Sequence, residues 1–135
     1  NKFMKKIIFL VLFFSLSSNA QMSLKDYAEI RFDFDFDKMD KSSLSYIIKK
    51  CHAIGGFAEQ IGMSGGKNMR LEYGGLMLQT YEITHPSLSE DEHFELMHKE
   101  TKPLYIEYLN YYNRNKKDPD LITSDYAFCK MLSEA

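Results

Sequence analysis

Three Glu-x-x-His pairs are the clearest chemical candidates in the chain: Glu82 with His85, Glu90 with His93, and Glu95 with His98. On a helix this spacing puts a carboxylate and an imidazole on one face. Di-iron helical bundles use such pairs on two helices and draw further glutamates from the other two. Glu59, Glu72 and Glu107 are the spare carboxylates. The context disfavours a metal. His85 precedes Pro86, Glu90 opens a helix, and Glu95 and His98 lie beside an apolar stripe more than on it. Glu95, His98, Glu59 and Glu107 are the metal candidates that remain, and the expectation is no metal and no cofactor.

Two loop motifs fail on their own spacing. Asp33, Asp35 and Asp37 open like a calcium loop, which needs glycine at its sixth position and glutamate at its twelfth. Counted from Asp33, those positions hold Lys38 and Leu44, so a solvated acidic edge is expected. Gly65-Gly66-Lys67 matches the end of a phosphate-binding loop. Ile61 stands where its first glycine belongs, and Asn68 where Ser or Thr belongs.

Cys51 and Cys129 are the only cysteines. In an exported chain such a pair implies one disulfide. A bonded cysteine has no thiolate for nucleophilic attack. No catalytic residue is assigned.

The elements that position these residues are mainly helices. Leu44, Ile47, Ile48, Cys51, Ile54, Phe57, Ala58 and Ile61 form one stripe at helical spacing. It predicts a helix from Asp40 or Ser42 to Ile61 or Met63. A second helix is expected over Asn68 to Ile83, with Gly55-Gly56 and Gly74-Gly75 meeting where the two cross. Ser89 and Glu92 form a capping box for a third helix, with Phe94, Met97, Thr101, Tyr108 and Tyr112 inward. Pro103 should kink it near Lys99 or divide it into 89–100 and 102–114. A short fourth helix should run from Asp125 to Leu132, with Tyr126 and Cys129 on its inner face.

Residues 28–36 read differently. Ala28, Ile30, Phe32, Phe34 and Phe36 alternate with Glu29, Arg31, Asp33 and Asp35, the period of a half-buried strand. No second strand pairs with it. An extended strap, a strand pairing with a partner or a second copy, and a misleading helix are the three solutions. Phe32, Phe34 and Phe36 become protein-binding candidates, together with Tyr111, the tyrosine off the inner stripe of the third helix.

Lys5 and Lys6, the apolar run from Ile7 to Phe14, and Ser18-Asn19-Ala20 have the order of a signal peptide cleaved after Ala20. Residues 1–20 carry three lysines and no acid, so the formal charge falls from −2 to −5 without them. An acidic surface argues against nucleic acid and anionic lipid, and favours a basic partner. Residues 21–135 suit a single helical domain.

The fold expected is all-α: a small disulfide-stapled bundle of about four helices, preceded by a short extended strap or lone strand. The function expected is that of a periplasmic or secreted, non-enzymatic protein that binds another protein, of the inhibitor or immunity type. It would not insert stably in a membrane after cleavage, and a homodimer through residues 28–36 is a further option. The alternatives are a metal-binding bundle protein or enzyme, and a small-ligand carrier.

Overall fold

The structure is a computed structural model, and it describes residues 22–135. The signal-peptide expectation lies outside them. Among the described residues there are five helices and no strand: α1 Leu24–Phe32, α2 Lys41–Gln60, α3 Gly66–Thr84, α4 Glu90–Arg114 and α5 Asp120–Glu134. A 3-10 turn at Phe36–Lys38 joins α1 to α2.

The strap or strand over 28–36 is corrected to a helix followed by a turn. Leu24, Ala28 and Phe32 repeat every four residues, and all three are buried. That helical spacing coexisted with the alternation, and burial against α5 favoured the helix. Ser23 caps α1 by accepting the Asp26 amide at 3.1 Å. Asp33 (φ 51°) and Phe34 (φ 57°) then end it in the left-handed region. Two consecutive non-glycine residues there break any extended run.

α2 is the central helix and packs against α3, α4 and α5. Asp40 caps it through the Ser43 amide at 2.8 Å. Ile47, Cys51, Ile54, Phe57 and Ala58 are buried as the stripe requires. Its two ends differ: Leu44 and Ile61 are exposed.

α2 and α3 approach closely because of glycine. A Cβ on Gly55 would stand 2.6 Å from the Arg70 amide nitrogen. The two Gly-Gly pairs do not meet each other, contrary to expectation. Gly55 faces Met69 and Arg70, while Gly74 faces the His52 ring. Gly65, at φ 86°, makes the left-handed turn that starts α3.

α4 is one helix with Pro103 inside it, not two. Its capping box forms, Ser89 Oγ accepting from Glu92 N and Glu92 Oε1 from Ser89 N. Its inward register starts at His93, not Phe94, which is exposed. His93 can enter because its Nε2 donates to the His85 carbonyl at 2.8 Å and its ring lies near Tyr81.

α5 begins at Asp120, five residues earlier than expected, so Leu121, Ile122 and Asp125 join Phe128 and Cys129 in the core. The sulfurs of Cys51 and Cys129 lie at bonding distance, 2.11 Å, and staple α2 to α5. Beside them the Tyr73 hydroxyl donates to the Cys129 carbonyl at 2.6 Å. Burial pushes that tyrosine up to about 12.

Asp125 is fully buried. Its Oδ2 accepts from Tyr108 at 2.6 Å, and the Lys50 ammonium sits 4.2 Å from the Tyr108 ring centre. Burial raises Asp125 and lowers Lys50, so each charge is opposed by desolvation and supported by the polar groups around it. No helix among the described residues is long and apolar enough to cross a membrane.

Candidate functional site

The first half of α2 and the second half of α3 do not close completely. Between them lies a cleft of about 390 Å³, with Leu44, Ile48 and Met77 as its apolar walls and Lys49, Tyr81 and Glu100 at its polar end. A second cleft of about 200 Å³ shares Leu44 and Ile48 and extends to Phe36, Met39 and Leu76. Through the shared residues the two make one groove along the α2–α3 seam. Leu44, Leu76 and Phe36 are 44%, 40% and 39% exposed, so its rim presents large apolar side chains to water.

The helix phase explains this. Residues 47, 51, 54 and 58 of α2 point into the core, which turns 44 and 48 toward the seam. On α3, Tyr73 and Met77 are buried, and Leu76 follows at the edge.

The polar end is internally satisfied. Glu100 accepts from Tyr81 at 2.7 Å and pairs with Lys49 at 2.5 Å. Burial pushes Glu100 up, but the bonds from Lys49 and Tyr81 outweigh it, and its carboxyl stays below its ordinary value. Tyr81 is raised by burial and by the Glu100 carboxylate. At neutral pH the end is therefore an ion pair with a neutral phenol. It can orient a polar group, while the walls take apolar atoms.

The sequence candidates separate. Phe36 reaches the groove, whereas Phe34, 41% exposed, lines neither of its clefts. Phe32 is 6% exposed and belongs to the core, against the Phe36 ring at 5.3 Å. Tyr111 is half-buried, and its hydroxyl accepts the Leu121 amide at 3.3 Å. That bond makes it a support for α5 instead of an exposed anchor.

Among the described residues, no group of three or more His, Cys, Asp or Glu is placed to hold a metal ion. Glu59 pairs with Arg70 at 2.5 Å, Glu95 and His98 are exposed, and Glu107 acts on Tyr46 and Lys50. Gly62-Met63-Ser64-Gly65-Gly66 has the spacing of a serine-hydrolase elbow, a signal the sequence reasoning missed. Here it joins two helices, whereas the elbow joins a strand to a helix. The Ser64 carbonyl accepts from the Tyr126 hydroxyl, and no bond joins the Ser64 hydroxyl to a histidine among the described residues.

The groove itself was missed by sequence reasoning. Leu44 and Ile48 belong to the apolar stripe of the first long helix, and nothing in their spacing separates core from cleft. Comparison with protein-family models, curated proteins and solved structures finds no match to this chain.

Proposed function

We propose that this is an exported, non-enzymatic binding protein whose α2–α3 groove receives an amphipathic, basic segment of another protein. The observation that carries the reading is the groove. Exposed Phe36, Leu44 and Leu76 surround a cleft of anchor size on a disulfide-stapled scaffold. A helix laid in such a groove anchors itself by apolar residues spaced three and four apart.

The charge supports a basic occupant. Asp33, Asp35 and Asp37 surround Phe34 and Phe36 in sequence, and Glu72 lines the groove at the same end. Residues 22–135 carry a formal charge of −5.

The test is capture from the native envelope with matched baits: the wild-type protein and a Leu44→Glu, Leu76→Glu variant of unchanged circular dichroism. The expected result is a basic protein held by the wild type, released by salt and lost from the variant. Equal capture by both baits would overturn the reading. So would a concentration-dependent dimer abolished by the same changes, which makes a second copy the occupant. Stoichiometric retention of a small molecule in the groove would likewise replace it with a carrier.

A further inference from the structure

One to two turns beyond the groove, α2 faces a further cleft of different chemistry. It has a volume of about 290 Å³ and lies between α2, α3 and α4. His52, Gln60, Arg70, His98, Lys102 and Tyr105 line it, and no carboxylate does. In a chain whose described residues carry −5, a cleft walled only by cationic, neutral and imidazole groups runs against the overall charge.

Its back wall is built. The His52 Nδ1 meets the Arg70 carbonyl at 2.9 Å. A Cβ on Gly74 would stand 3.1 Å from both Nδ1 and Cε1 of that ring, so the absence of a side chain there is what admits it. Bonding the carbonyl fixes the proton on Nδ1, because a carbonyl only accepts. The other nitrogen, Nε2, has no protein partner among the described residues. Arg70 is itself held by Glu59, through Nε at 2.5 Å and Nη2 at 3.3 Å. Lys102 and His98 stand on the exposed side of α4 with no ion pair among the described residues.

We propose that this cleft binds a small oxyanion, a phosphate or carboxylate group, held by Lys102, His98, Tyr105 and the Nε2 of His52. The anion would supply acceptors for Lys102, His98 and Tyr105, and for Nε2 once that nitrogen is protonated. Burial, with the Arg70 charge, keeps His52 below its ordinary value despite the bond to the Arg70 carbonyl. A bound anion adds negative charge beside the ring and favours its protonated form, so Nε2 takes up a proton and donates a hydrogen bond to the ligand. Arg70, Lys102 and His98 resist that uptake, the Glu59 carboxylate assists it, and the anion tips the balance.

The experiment titrates the full chain with inorganic phosphate and, separately, with acetate. Imidazole resonances of His52 and His98 are followed by NMR, and proton uptake by calorimetry in two buffers. The expected result is saturable binding of at least one probe with proton uptake. Lys102→Ala should weaken it about tenfold, the worth of one charge-assisted hydrogen bond. The tighter probe distinguishes a phosphate source from a carboxylate one. Lys102 and His98 are exposed, so Lys102→Ala and His98→Gln leave the fold intact, which circular dichroism checks. No saturation with either probe, or saturation unchanged in both variants, would overturn the proposal. Neither result bears on the α2–α3 groove, which shares no residue with this cleft.

Discussion

The Asp125 Oδ1 accepts the backbone amide of Leu24 at 2.8 Å, across 101 residues of chain. Leu24 is the first residue of α1, so this amide is one of the donors a helix cannot satisfy internally. Asp125 thus caps α1 from α5 while its other oxygen holds Tyr108 of α4. Asp125→Ala should cost about 3 kcal/mol or more, because two buried donors lose their acceptor. Asp125→Asn keeps one acceptor and should cost about 1 kcal/mol. Urea unfolding measures both. Proteolysis should cut the alanine variant first near α1, and equal stability of the two variants would remove the capping role.

The disulfide closes a 78-residue loop. The Cys51→Ala, Cys129→Ala double variant should lose about 4 kcal/mol in the chain-entropy account. α5 also docks through Tyr73 and Asp125, so the variant should stay folded without denaturant. Linear extrapolation from urea curves gives the number, and a loss below about 1 kcal/mol would show that these bonds hold α5 unaided.

Two glycines of the α2–α3 hairpin should respond in opposite directions. Gly55→Ala places a methyl group 2.6 Å from the Arg70 amide nitrogen, so two backbones must part. The cost should be about 3 kcal/mol, the upper range for overpacking. Gly75→Ala meets nothing within 4 Å and should stabilise by about 1 kcal/mol, as alanine replaces glycine inside a helix. Thermal unfolding of the two variants checks the contrast.

His52 gives the stability a pH dependence of known sign. Burial lowers its folded pKa below the ordinary 6.5, so the folded state binds fewer protons there than the unfolded one. Its contribution is fully present above 6.5 and is lost as pH falls through the folded value. Unfolding free energy measured against pH should therefore decline on acidification through this window. The decline should be shallower in His52→Gln, and identical slopes in the two proteins would contradict it.

Two helix starts were legible in the sequence through their capping side chains, whereas Ser23 caps α1 in the same way and the alternation after it obscured that helix. Asp40 and the Ser89–Glu92 box act within four residues of themselves, and local chemistry decides such bonds. The Cys51–Cys129 pairing was equally legible, since two cysteines on apolar stripes have only each other. Tertiary structure decided the rest. Residues 28–36 satisfy two periods at once, and only docking of Leu24, Ala28 and Phe32 selects the helix. His93 replaces Phe94 inside because a carbonyl eight residues away accepts its ring nitrogen. Leu44 and Leu76 carry the same apolar signal as core residues, yet they end on the rim of a groove. Periodicity states which face of a helix is apolar; the packing of its neighbours determines how much of that face is covered.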